Sequence, residues 1–332
     1  MRLSRLNLVA SFFLAAILSA PAWGATPALP GTVNYVEGQA SIGSEALNSK
    51  SVGSTTLEAG QTISTATGKA EILMTPGVFF RLGDDSAATL VSPSLTNTEI
   101  ALAKGQAMVE VDSIYKDNVL RVQENGAATQ LLKTGIYAFD ANNADVRVFQ
   151  GEALVQDGDR QVKVKAGHEI ALNNAALKTT KFDKREYQDT DLYRFSNLRS
   201  EYLAEANVDA AGLYYSGAPG WFGAGWYWDP WLVGYTWLPG DGFFYSPFGW
   251  GFYSPLWIGY YGPYRGYPYH GYGAARPYHP GYPGGYVAHS YGGHPSGEFR
   301  GPTHASVGVS HFGVMGGGFH GGGGFSGGGF HR

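Results

Sequence analysis

Lys69-Ala70-Glu71-Ile72-Leu73-Met74-Thr75-Pro76-Gly77-Val78-Phe79-Phe80-Arg81-Leu82 is the stretch on which the fold turns. Ala70, Ile72 and Met74 share one face of an extended chain; Val78, Phe80 and Leu82 share one face of the next. Side chains alternate across a strand, so this is period-two patterning on both sides of a Pro-Gly turn. The stretch predicts an antiparallel hairpin with one face inward.

The same signal repeats outward from it. Gln161-Val162-Lys163-Val164-Lys165 alternates cleanly, with the valines inward and the charges out. Similar runs lie at 32–36, 99–102, 107–111, 119–122, 135–139 and 145–149. Turn chemistry separates them: Gly83-Asp84-Asp85, Asn125-Gly126 and Asp157-Gly158-Asp159. Many short strands without intervening helices predict an all-β fold, a sandwich, small barrel or short β-solenoid.

Several of these turns together resemble a FecR-like domain. Gly31-Thr32-Val33 with Gly38-Gln39-Ala40 is similar to its opening. Leu57-Glu58-Ala59-Gly60-Gln61-Thr62-Ile63-Ser64-Thr65 resembles its glycine turn, with Gln61 in the usual acidic place. The 70–82 hairpin, Lys104-Gly105-Gln106-Ala107, the 146–153 strand pair and Lys165-Ala166-Gly167-His168 follow in the family's order. The resemblance implies a β-scaffold and brings no catalytic residue with it.

Beyond about residue 182 the period changes. Leu192, Phe195, Leu198, Tyr202 and Ala206 recur three or four apart, which predicts one amphipathic helix within 182–211. On that reading Arg194, Arg199, Glu201 and Glu205 face away from the β-domain. Asp183 with Glu186 offers one helix start, and Asp189 or Thr190 another.

From residue 212 charges almost vanish and Gly, Tyr, Trp, Pro and His dominate. Residues 212–262 form an aromatic module containing a tandem eight-residue repeat, 244–251 and 252–259. A fully buried ring removes 150–250 Å² from water, so these rings must stack on each other, on the β-domain or on a partner. Trp226, Trp228, Trp231, Trp237, Trp250 and Trp257 are the candidate partner-binding residues. Residues 263–332 read as a low-complexity, disordered tail, because Gly-rich chain with little apolar surface cannot offset its ordering entropy.

Eight of the nine histidines lie in that tail: His270, His279, His289, His294, His304, His311, His320 and His331. They are weak metal candidates, since none has the tight spacing of a preformed zinc site. No cofactor is expected. Gly324-Phe325-Ser326-Gly327-Gly328 matches a nucleophile-elbow pattern but sits in glycine repeats without the strand–turn–helix that motif requires. The chain reads as non-catalytic.

The N-terminus sets the expected compartment. Arg2 and Arg5 precede an apolar run, 6–20, and Ala22-Trp23-Gly24 offers small residues at a cleavage position. This is the layout of a signal peptide, 1–24, followed by a short leader, 25–30, and a β-domain over 31–181. Cleavage removes two Arg and no acid, taking the formal charge from −4 to −6. That mild acidity argues against nucleic acid. The chain has no Cys, so its own core must hold it together.

These readings combine into an exported envelope protein, periplasmic, surface-bound or secreted, with no transmembrane span after cleavage. Its β-scaffold carries an aromatic adhesive segment for envelope protein or polysaccharide. The alternatives are a periplasmic signalling module, as in FecR-like regulators of iron transport, or weak metal capture by the tail. Direct contact with a sigma factor is not expected, because so few residues precede the apolar run.

Overall fold

The computed structural model describes residues 28–174 and 176–261, all within the first of the two units into which the chain divides, Met1–Ala288. The expected signal peptide, the tail 263–332 and its eight histidines lie outside the described residues.

Fifteen strands build one sheet: β1 (Val33–Ile42), β2 (Glu45–Leu47), β3 (Thr62–Leu73), β4 (Val78–Leu82), β5 (Ala87–Ser94), β6 (Asn97–Lys104), β7 (Gln106–Val111), β8 (Val119–Glu124), β9 (Ala127–Leu131), β10 (Gly135–Asp140), β11 (Asp145–Gln150), β12 (Glu152–Asp157), β13 (Arg160–Lys165), β14 (His168–Ala171) and β15 (Thr179–Lys181). Two helices follow, α1 (Lys184–Gln188) and α2 (Asp191–Tyr215). The aromatic module then forms two hairpins, β16 (Gly225–Asp229) with β17 (Gly234–Leu238) and β18 (Phe243–Tyr245) with β19 (Gly251–Tyr253), and ends in α3 (Pro255–Tyr261).

The sheet runs β13-β12-β9-β8-β6-β5-β3-β4-β7-β10-β11-β14-β15, with β1 on β3 and β2 on β1. Strands from both arms of this order feed one apolar cluster: Val155 and Val164 from one, Val148 and Ile170 from the other. The sheet therefore curls around its own core and nearly closes. Among the described strands only β6 and β8 pair in parallel. A β-solenoid stacks its strands in parallel, so the curled antiparallel sheet resolves the choice left by the sequence towards the sandwich-like form.

The 69–82 hairpin sits at the centre of the sheet order, as its patterning requires. Ala70, Ile72, Met74, Val78, Phe80 and Leu82 all join the inner core. Its other face is buried as well: Glu71, Leu73, Phe79 and Arg81 are inaccessible because α2 and the aromatic module cover them. A half-buried strand alternates apolar with polar, and here the polar half is buried too.

The helix departs from its expected orientation. Its chain starts twice, at Asp183, whose carboxylate accepts from the Arg185 amide at 3.0 Å, and again after Thr190. α2 runs to Tyr215, past the boundary expected at 211. Its buried side carries Ser196, Arg199, Ser200, Leu203, Asn207 and Ala211, whereas Leu198 is exposed. Arg199 was expected to face away and is instead 4 % exposed. The surface beneath the helix is charged, so its contact face is polar and small, and hydrophobic spacing does not report it.

One hairpin end carries a buried acid. Glu124 closes β8 before the Asn125-Gly126 turn, is buried, and has no hydrogen-bond partner among the described residues. Burial, then Asp145 and Asp140, push its carboxyl up to about 8, while Arg147 opposes them. A carboxyl raised in the folded state contributes stability below its unfolded value, near 4.5, that is lost as pH rises through about 8. Glu124→Gln should therefore be more stable than wild type at pH 9, by on the order of 2–4 kcal/mol. The two proteins should converge near pH 5. Urea titrations across that range check this, and equal stabilities at pH 9 would contradict it.

Candidate interaction site

The outer face of the central hairpin is a charged strip. Register places Glu71 of β3 opposite Arg81 of β4, and Phe79 of β4 opposite Glu110 of β7. Arg81 Nε donates to Glu71 Oε2 at 2.7 Å, and its Nη1 lies 2.7 Å from Glu110 Oε2. From α2, Arg199 Nη2 donates to Glu71 Oε1 at 2.9 Å and Ser200 Oγ donates to Glu110 Oε1 at 2.6 Å. Two carboxylates thus face two guanidinium groups, all buried.

Burial alone would raise the Glu71 carboxyl; Arg199 and Arg81 overcome it and hold it at about 2. Neighbouring Asp112 goes the other way, well above the usual carboxylate range, through burial and then the charge of Glu110.

The aromatic module is fastened beside this strip by side chains that mimic strand pairing. Asn34 of β1 donates to the Tyr235 carbonyl at 2.9 Å and accepts from the Tyr235 amide at 2.7 Å. Its Nδ2 also donates to Glu71 Oε1, so one amide ties strip and module together. Asn207 of α2 donates to the Trp237 carbonyl at 2.9 Å and accepts from the Tyr253 amide at 2.8 Å. Thr236 Oγ1 donates to the Leu203 carbonyl at 2.6 Å. The asparagine bonds to Tyr235, Trp237 and Tyr253 give partners to backbone groups of the hairpins, which a buried hairpin requires.

Glycines make room for the rings. A Cβ at Gly53 would lie 2.3 Å from the Trp228 ring, and one at Gly77 would lie 3.2 Å from the Trp237 ring. Both positions have positive φ, +73° and +83°, so turn geometry and close approach select glycine together.

The six tryptophans grouped by sequence thus divide. Trp237 is 1 % exposed, at the centre of a cluster with Leu73, Phe79, Leu203, Tyr235 and Phe252. Trp226, Trp228 and Trp250 are half-buried against that cluster, and Trp250 Nε1 donates to Asn197 Oδ1 at 3.1 Å. These four belong to the internal packing of the docked module. Trp231 and Trp257 face outward, 58 % and 36 % exposed. The asparagine clamps and the buried strip escaped the sequence reading. The one available signal was charge at Glu71, Arg81 and Glu110 on otherwise apolar strands.

A cavity of about 220 Å³ lies between β7, β10, β11 and the α1–α2 junction. Its polar side chains bond each other: Gln106 and Asn143 donate to Asp140 at 2.8 Å, and Arg147 donates to Glu169 at 3.0 Å while lying 4.2 Å above the Tyr187 ring. Among the described residues no group of three His, Asp or Glu is placed to hold a metal ion.

Residues 61–154 match the family model described as FecR protein. These residues form a FecR domain. The match begins just before β3 and ends within β12, so the charged strip of Glu71, Arg81 and Glu110 belongs to the FecR domain. The helix and aromatic module that cover it lie beyond the matched segment, as do the resemblances at 31–40 and 165–168.

Two crystal structures of a proposed anti-sigma factor from Parabacteroides distasonis, at 2.50 and 1.65 Å resolution, are similar to this chain. They show 16 % and 15 % identity and a TM-score of 0.31 each. In both, 37 % of this chain and 59 % of that one are covered, so the chain spans less than two thirds of that protein. No curated protein matches. Among the described residues no helix is long and apolar enough to cross a membrane.

Proposed function

We propose that this chain is an exported, non-catalytic adhesion scaffold of the cell envelope. In this reading the FecR domain holds the aromatic module in place, and the module's outer face meets an envelope component. One observation carries it. Of the fifteen exposed large hydrophobic side chains among the described residues, ten fall between Leu213 and Tyr260. Scattered apolar residues are normal on a surface, but concentration in one segment marks a binding face. Phe222, Trp231, Tyr245, Trp257 and Tyr260 are five of its rings.

The test is fractionation of host cells carrying the full chain with these five rings changed to Ser. Release from the envelope fraction, with a Tm within about 2 °C of wild type, is expected, because solvent-facing side chains contribute little to stability. Unchanged retention would sink the reading.

A signalling role is the second reading, favoured by the FecR match itself. It requires a partner that responds to this domain, and it predicts altered gene expression on deletion, with retention in the envelope playing no part.

A further inference from the structure

We propose that the open edge of β15 takes an acidic, extended protein segment as an additional strand. This is a second contact surface, separate from the aromatic module, and it stands without the adhesion reading.

The sheet has two ends, and they differ in charge. β13 pairs with β12 and β15 with β14, and neither has a second strand neighbour among the described residues. Each therefore offers a row of backbone donors and acceptors to another chain. On β13 cations are matched within the sheet: Arg160 donates to Asp157 at 2.7 Å, and Lys163 lies 2.9 Å from Glu152. Around β15 they are not. Lys178 precedes the strand, Lys181 ends it in register with His168, and Lys184 follows at the start of α1. The Gly167 turn lies beside them. Its carbonyl accepts from the Phe182 amide at 3.2 Å, and a Cβ at Gly167 would lie 3.8 Å from Lys184 Cε. Lys165 leads into that turn, which brings four lysines to one end of the sheet.

None of the four has an ionic partner among the described residues. Two nearby acids are engaged elsewhere: Glu169 accepts from Arg147 at 3.0 Å and Asp183 from Arg185 at 2.7 Å. Outside the described residues the sequence has one acidic side chain, Glu298, which could match one lysine of the four. The chain as a whole carries −4, whereas residues 160–184 hold six Lys and Arg against two acids, so this end reverses the sign of the molecule.

Charge and hydrogen-bonding pattern together name the partner. Lysine on an edge strand repels a second copy of the same edge, which guards against self-pairing. The same charge selects a strand of opposite sign, so one device excludes the wrong partner and attracts the right one. An extended acidic peptide supplies backbone groups for the open edge and carboxylates for the flanking lysines. An anionic sugar or lipid supplies the charge alone and leaves the edge unpaired.

The experiment titrates the purified full chain with a labelled peptide of about ten residues, alternating Val and Glu, followed by fluorescence anisotropy. Two further peptides separate the causes. Alternating Val and Lys reverses the charge, and the Val–Glu peptide with every backbone amide N-methylated keeps the charge but loses the donors. The Val–Glu peptide should bind at least about ten-fold more tightly than either, in line with several exposed ion pairs acting together. Its binding should slow amide exchange in the segment covering β15. Lys165→Gln, Lys178→Gln, Lys181→Gln and Lys184→Gln combined should weaken binding by a similar factor, with a Tm within about 2 °C of wild type, because surface lysines contribute little to stability. Equal binding of the N-methylated peptide would assign a surface for any polyanion, and equal binding of the Val–Lys peptide would show that charge plays no part. No binding of the Val–Glu peptide would leave the lysines as edge guards only. Each of these results overturns the inference, as does undiminished binding by the four-site variant. The peptide comparison is made on the unaltered chain, so it decides the matter even where that variant fails to fold.

Discussion

Arg81→Ala should lower the unfolding free energy by about 3–5 kcal/mol, the cost of leaving buried charge without its partner. Arg81 joins Glu71 and Glu110 and is itself inaccessible to solvent. Its removal leaves two buried carboxylates, Glu71 paired to Arg199 and Glu110 with no guanidinium partner, only the Ser200 hydroxyl. The strip's charge, rather than its shape, is what the substitution upsets. The combined variant Glu71→Leu, Arg81→Met, Glu110→Leu, Arg199→Met should therefore recover most of the loss, because a buried ion-pair network replaced by apolar groups of similar volume is often neutral in stability. Urea unfolding followed by tryptophan emission reads both. A loss under 1 kcal/mol for the single variant would mean that water reaches the strip.

Trp237→Ala should cost about 3–5 kcal/mol through the cavity it leaves. For a folded region of this size that is a fall in Tm of roughly 10 °C or more. Trp237 lies edge-on to Phe244, with centroids 5.4 Å apart, and 5.7 Å from Phe252, so its loss empties the contact between the two hairpins. Calorimetry separates this from an adhesive role. Packing predicts a lowered melt with the outer rings still able to bind. An adhesive Trp237 predicts an unchanged melt and lost binding. Trp231→Ala should show that second pattern.

The sheet was legible because the strands of the inner core obey one rule. Ala70, Ile72, Val78 and Phe80 face a purely apolar interior, so alternation reports them directly. The covered outer face obeys a different rule. Glu71, Arg81 and Glu110 read as solvent-facing in sequence, since a charge on an alternating strand normally meets water. They are buried only because Arg199 and Ser200 arrive from more than eighty residues away, a pairing that no local window contains. The same long-range dependence hid the inward turn of α2. Its contact face is Ser196, Arg199, Ser200 and Asn207, which on composition alone is a solvent face.

The aromatic module was only partly legible, for a related reason. Its ring density shows that the rings must be covered, and leaves open by what. The answer lies in Asn34 and Asn207, single amides whose role depends on the Tyr235, Trp237 and Tyr253 backbone reaching them. Once those clamps are in place, Trp237 is inside and Trp257 is outside, a difference that the repeat itself does not encode.

Amide hydrogen exchange on the full chain tests directly whether the module is locked to the FecR domain. The Tyr235 and Tyr253 amides donate to side chains of β1 and α2 rather than to their own hairpin partners. Their protection therefore reports docking. The predicted result is protection in peptides covering β17 and β19 that approaches that of β4 and β7, with Asn34→Ala releasing the Tyr235 amide first. Exchange of those peptides at the rate of an unstructured chain, while β4 and β7 stay protected, would contradict it.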